Sequence, residues 1–257
     1  MLVFVHGLLM DETLWSEVVS ELSGEFRCVV PVLPLGAHRR AMHADADLSM
    51  DAIAALLAEF IERLDLLGAT VVGNDTGGAI VQLLAADHAG HAGRIALVSC
   101  DAFDNFPPGL TGKTLFMTGT LPPLLFGAFM QQMRLKPVRR LPIAFGRLTK
   151  RGDRTSKQWL YPILTQKAIR RDTVKVLRAA ASDRTILGRV AQRLPAFDKP
   201  ALIVWASEDR VMPPEHGRRL AGLLPLGHLV EIADTYTLVP LDQPGELASA
   251  LRTFAAS

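Results

Sequence analysis

The sequence predicts an α/β protein: a mostly parallel sheet with helices on both faces and a helical cap inserted between two parts of the sheet. Three observations predict it. Short apolar, β-branched runs alternate with amphipathic helical patterns, as in sheets built from crossover helices. One run, Thr70-Val71-Val72, stops at a glycine and gives way almost at once to a helical pattern through Ile80, Val81, Leu83 and Leu84. The alternation then lapses after Asp101 for roughly 95 residues, too long for a loop in a compact domain, and resumes afterwards.

The elements follow in order. Leu2 to Val5 is an apolar run that reads as a buried strand, and it ends in the loop His6-Gly7-Leu8-Leu9. Thr13 to Leu22 reads as a short amphipathic helix. Arg27 to Leu33 reads as a second strand, at an edge because Pro31 lacks the N–H that a central strand needs. A polar loop from Pro34 to Asp47 leads to Ser49. This serine caps a helix with Ile53, Leu56, Leu57, Phe60, Ile61 and Leu64 on one stripe. After the strand at Thr70, Arg94 to Ser99 is a fourth. Helical patches such as Ala168 to Ala181 fill the interruption. Ala201 to Ala206 and His228 to Ile232 are the last strands, with helices near Pro214 to Leu224 and from Pro244 to Phe254. The expected division is a core of 1–101 and 196–257 with a cap of 102–195.

The chain has 257 residues, 49% hydrophobic and 21% charged, with net charge +2, which fits a globular protein and demands no polyanionic partner such as nucleic acid. The charge is uneven: Asp101 to Pro195 holds 18 Lys/Arg against 5 Asp/Glu. This is either a solvated basic face or a device for steering an anionic substrate or meeting an acidic surface. Cys28 and Cys100 sit in apolar runs and read as buried small hydrophobes, with no disulfide framework and no metal spacing. No stretch of about 18 uninterrupted apolar residues predicts a membrane span. No basic leader or cleavage site precedes the first strand, so the expected location is cytoplasmic.

The stretch Gly73-x-Asp75-x-Gly77 lies where the third strand turns into its helix. Such a turn forces its middle residue into a strained backbone, and only small neighbours two positions away avoid a clash. The middle side chain is thrown out at the carboxyl edge of the sheet, beside N–H groups that favour negative charge. A Gly-rich turn with a capping Asp, or a phosphate cradle, would look similar. No Lys-Ser/Thr follows, however, and the glycine spacing is not that of a dinucleotide fold, so no cofactor is expected.

Four stretches in order resemble the α/β-hydrolase superfamily across nearly the whole chain. They are His6-Gly7, Gly73-x-Asp75-x-Gly77-Gly78, Trp205-Ala206-x-x-Asp209-x-x-x-Pro213, and Val239-Pro240-Leu241-Asp242-Gln243-Pro244-x-Glu246-Leu247. An Asp at the elbow is similar to the haloalkane dehalogenase and epoxide hydrolase branch. By that resemblance Asp75 is the nucleophile, the N–H groups of Leu8 and Thr76 form the oxyanion pocket, and Asp209 or Asp101 orients the base. His6 reads as a packed loop residue. Trp159 and Tyr161 resemble aromatic wall residues of the cap.

The chain departs from that pattern in three places. The superfamily's histidine aligns here with Thr237, which is no base near neutral pH. The residue after the nucleophile is Thr76, not a halide-holding Trp or Arg. The chain begins at what is normally the third strand, so the first two strands are expected to be missing. That leaves an open sheet edge, which a homodimer would cover. Of the remaining histidines, His38 and His43 lie in a loop leaving a carboxyl strand end, and His38 is the candidate substitute base. The resulting expectation is a small-molecule hydrolase with an Asp nucleophile and a non-standard base. Two alternatives are a non-hydrolytic enzyme using Asp75 as general acid or base for elimination, isomerisation or cyclisation, and an inactive ligand-binding member.

Overall fold

The computed structural model describes residues 1–256. Its centre is a six-stranded sheet of β1 (Leu2–Val5), β2 (Cys28–Val29), β3 (Thr70–Asp75), β4 (Arg94–Cys100), β5 (Ala201–Ala206) and β6 (Gly227–Ile232), in the order β2-β1-β3-β4-β5-β6. All five pairings are parallel. The strands β1, β3 and β5 are buried along their whole length, which is why they read as continuous apolar runs and not as alternations.

The helices of the first half are α1 (Ser16–Leu22), α2 (Met50–Arg63) and α3 (Thr76–Asp87). The Ser49 side chain accepts from the Ala52 N–H and starts α2, whose Ile53, Leu57 and Ile61 are buried. The helix α3 is buried through Ala85, against α2 and β4. The interrupted stretch holds α4 (Gly109–Gly119), α5 (Pro123–Met130), α6 (Lys136–Arg139), α7 (Asp153–Trp159), α8 (Tyr161–Thr165), α9 (Lys167–Ser182) and α10 (Ile186–Arg193). The chain closes with α11 (Pro214–Leu223), α12 (Val239–Asp242) and α13 (Pro244–Ala256). Among the described residues no helix is long and apolar enough to cross a membrane.

One expected element is much shorter than its sequence suggests. Arg27 to Leu33 pairs with β1 only through Cys28 and Val29, and the residues up to Pro34 are irregular. A ladder ends where Pro31 offers no donor. The edge on this side therefore exposes little unpaired backbone for another chain to extend.

Helices α4 to α6 and the segments beside them wall a cavity over Asp75 at the carboxyl end of β3, α10 packs on α3, and the inserted stretch is tied to the core on two sides. On α9, the buried Asp172 accepts from the Met42 N–H at 2.8 Å and faces His38 Nε2 at 3.3 Å. On the other side the Asp242 carboxylate of α12 accepts from the Thr149 hydroxyl at 2.7 Å and from the N–H groups of Lys150 and Arg151. These ties leave a cavity between cap and sheet.

Candidate active site

The strand β3 ends on Asp75, whose φ of 56° and ψ of −131° put a non-glycine residue in a strained conformation. The close approach is real on both sides. A Cβ on Gly73 would lie 2.5 Å from the Gly77 carbonyl, and one on Gly77 would lie 2.3 Å from the Val5 carbonyl. The carboxylate sits at the amino end of α3, where Asp75 Oδ1 accepts from the Thr76 N–H at 2.7 Å. The Leu8 N–H also donates to this carboxylate. Gly7 leaves the room: a Cβ there would be 2.4 Å from Asp75 Oδ1.

The Thr76 hydroxyl joins two carboxyl groups. Its Oγ1 is 3.1 Å from Asp75 Oδ1 and 2.9 Å from Asp101 Oδ2. A hydroxyl has one hydrogen, so both contacts are hydrogen bonds only when one of the two carboxyls carries a proton. The surroundings favour the proton on Asp101. Burial pushes its carboxyl well above the usual range, and the Asp75 charge beside it pushes further. Its Oδ1 is buried with no partner. Burial raises Asp75 as well, but the Thr76 N–H, the Thr76 hydroxyl and the Leu8 N–H all favour its charged form.

Asp209 occupies a separate niche. Its Oδ1 accepts from the N–H groups of Val211 and Met212 and from the Thr237 hydroxyl at 2.8 Å, while Oδ2 is buried and unpartnered. Burial pushes its pKa up to about 6. The Thr237 carbonyl in turn accepts from Asn74 Nδ2 at 2.8 Å, which fixes this loop to the residue before Asp75.

The cavity above Asp75 is about 220 Å³ and is walled by apolar side chains, chiefly Phe106, Phe116, Phe129, Met130, Met133 and Phe145. Asp75, Thr76 and Asp101 are its polar floor, with Leu8 beside them. No histidine is among its lining residues.

The other candidates stand elsewhere. His6 is buried, takes the Leu33 N–H on Nε2 at 3.0 Å and donates from Nδ1 to the Gly7 carbonyl, so it is held neutral as a packed loop residue. His38 accepts the Gly36 N–H on Nδ1 and presents Nε2–H to Asp172. It is a tie between loop and cap and does not line the cavity, so it is not placed to act as the base. The cap aromatics also differ from expectation. Trp159 is fully buried with its N–H on the Thr13 hydroxyl, and Tyr161 is 66% exposed. The wall is made of phenylalanines because α4 and α5, not α7 and α8, lean over the elbow. Asn74 and Gln82 were not singled out in the sequence. Gln82 Nε2 holds the Asp101 carbonyl at 2.8 Å. A polar residue inside an otherwise apolar buried run was the available signal for both.

Fold and site together define an enzyme of the α/β-hydrolase class. The chain belongs to the alpha/beta hydrolase family, whose model matches residues 2–250. It is 25% identical to haloalkane dehalogenase 2 of Mycobacterium tuberculosis, over 97% of this chain and 86% of that protein. A thermophilic esterase from Thermogutta terrifontis superposes with a TM-score of 0.73 at 21% identity, covering 98% of this chain and 88% of the other. An enol-lactonase from Burkholderia xenovorans superposes with a TM-score of 0.70 at 18% identity, covering 100% and 91%. These two likenesses are of fold.

Proposed function

We propose that the protein hydrolyses a small apolar substrate through an ester on Asp75, with Asp101 doing the proton transfers that a histidine performs in the usual arrangement. The observation that carries this reading is the Thr76 hydroxyl bridging Asp75 and Asp101, an arrangement whose two contacts are both hydrogen bonds when one group is a carboxylate and the other a carboxylic acid.

In the first step the Asp75 carboxylate attacks an electrophilic carbon of the substrate. The bond from that carbon to its leaving atom breaks as the ester bond forms, and Asp101 gives its proton to the leaving atom. Asp75 is now neutral, so its charge no longer adds to burial in holding the proton on Asp101, and the Asp101 carboxylate acts as a base more readily than it would beside a charged Asp75. In the second step water adds to the ester carbonyl and loses a proton to Asp101, while the N–H groups of Leu8 and Thr76 hold the oxyanion. Collapse breaks the ester, and the departing alkoxide takes the remaining proton of the added water. Alcohol leaves, and the Asp75 carboxylate and protonated Asp101 are restored. A cavity of about 220 Å³ takes a substrate below drug size.

The absence of a histidine among the lining residues favours a second reading, in which Asp75 moves protons for an elimination, isomerisation or cyclisation. A single turnover in ¹⁸O-water with enzyme in excess separates the two. The ester mechanism puts the heavy oxygen in the Asp75 carboxylate and leaves it out of the first product. Heavy oxygen in the product alone, or in neither, contradicts the ester.

A further inference from the structure

The face of the cap around the cavity mouth is at once apolar and cationic. Phe129, Leu141 and Ile143 line the cavity and are also exposed. Beyond them stand Leu110 and Met117 on α4, Leu124 and Leu125 on α5, and Leu135 just before α6, all more than half exposed. Single exposed leucines are ordinary, but several together around a cavity mouth are a surface that needs an account. Lys113 shares the exposed face of α4 with Leu110 and Met117, at spacings of three and four. Arg134 and Lys136 flank Leu135. Among the described residues none of these three cations is in an ion pair, whereas Arg139, Arg171 and Arg189 elsewhere in the cap each hold an aspartate. From Asn105 to Gly152 the chain carries 8 Lys/Arg and no Asp/Glu.

We propose that this face docks on an anionic lipid surface, with the cavity mouth turned toward it. Three kinds of occupant are chemically open, and the charge decides among them. A second copy packed about a two-fold axis would bring the patch against itself, stacking like charges with no carboxylate to offset them. A nucleic acid would use the cations but gain nothing from the leucines. A lipid interface uses both: apolar side chains enter the acyl boundary while Lys and Arg stems lie along it with their heads at the phosphates. The inference concerns the cap surface and does not depend on the chemistry at Asp75.

The test is co-sedimentation of the full chain with phosphatidylcholine vesicles, with and without phosphatidylglycerol. The expected result is binding to the mixed vesicles only, weakening as added salt shortens the reach of the charges to about 8 Å at physiological ionic strength. A surface cation contributes about fivefold to partitioning, so Lys113→Gln/Arg134→Gln/Lys136→Gln should weaken binding by at least about tenfold. Leu124→Ser/Leu125→Ser/Leu135→Ser should do the same to within about threefold. All six positions are exposed and outside the cavity lining, and unchanged thermal melting verifies the fold. No binding to either vesicle overturns the proposal. Unchanged binding of the leucine variant also overturns it, since attraction would then be charge alone, as for a nucleic acid or an acidic protein. A wild-type dimer that the leucine variant converts to monomer in light scattering would make the occupant a second copy, and would overturn it equally.

Discussion

The Thr237 hydroxyl donates to Asp209 Oδ1 across 2.8 Å, and neither residue lines the cavity over Asp75. The acid that would orient an imidazole is present and held by two backbone N–H groups, but its partner is too short to reach substrate. An imidazole in place of this hydroxyl should therefore supply the base in place of the one proposed for Asp101. Asp101→Asn should slow turnover by about 10² to 10⁴-fold, the usual worth of general acid–base assistance. Adding Thr237→His to that variant should recover at least about tenfold of kcat for substrates whose leaving group needs no proton. No recovery in a folded double variant would place the lost function outside the base.

Gly7 is predicted to be essential for chemistry and to matter for folding. The Cβ of Gly7→Ala would lie 2.4 Å from Asp75 Oδ1 and 2.8 Å from Asp75 Cβ, so the carboxylate must leave its backbone donors and the elbow must shift with it. A loss of kcat/KM of about 10² or more is expected, with a stability cost of about 1–3 kcal/mol. Gly77→Ala differs, because its Cβ would meet the Val5 carbonyl at 2.3 Å and backbone cannot turn aside. It should cost about 1–3 kcal/mol in denaturant unfolding.

His38→Ala should damage stability and spare chemistry. It leaves the Gly36 N–H without its acceptor and deprives Asp172 of one of its donors, a change of about 1–3 kcal/mol. The kcat should stay within about threefold of wild type at a temperature where the variant is folded. A loss of activity without loss of stability would restore His38 as the base.

The pH dependence of stability has a sign that Asp209 fixes. Its folded-state pKa, about 6, lies above the ordinary value near 3.8, so between these two values the folded state holds the extra proton. Stability from this group is full below the lower value and is lost as pH rises to the upper one. The loss is about 3 kcal/mol for a shift of this size. Asp209→Asn cannot ionise and should lack this decline. Unfolding curves of both proteins from acid to neutral pH would show the variant gaining on wild type across that window. Parallel curves would contradict the assignment.

The elbow was legible because its geometry is local. Gly73, Asp75 and Gly77 fall at spacings that a strand-to-helix turn dictates, and the glycine contacts at the Gly77 and Val5 carbonyls are what that reading required. The Thr76 bridge was not legible. It depends on the register of β3 against β4, which shifts between Asn74 and Asp75 and pairs Asp75 with Cys100, bringing Asp101 beside the elbow. Sequence places Asp101 one residue past a strand and says nothing of that shift. The cap was least legible, because its helices are short and which side chains meet the cavity depends on how α5 packs on α9. The phenylalanines carry no spacing that sets them apart from core, whereas Trp159 and Tyr161 stood out through resemblance to cap aromatics of the family.

If an ester forms on Asp75 and its removal needs Asp101, the ester should accumulate in Asp101→Asn, where intact-mass and peptide mass spectrometry would detect it. The variant is incubated with a panel of small apolar alkyl halides and alkyl sulfonates, whose leaving groups depart without a proton, and is then quenched. Any substrate turned over by wild type is predicted to leave a stable adduct in the variant, of the mass of the alkyl fragment, on the peptide containing Asp75. Turnover by wild type with no adduct in the variant, or an adduct on any other residue, would contradict it.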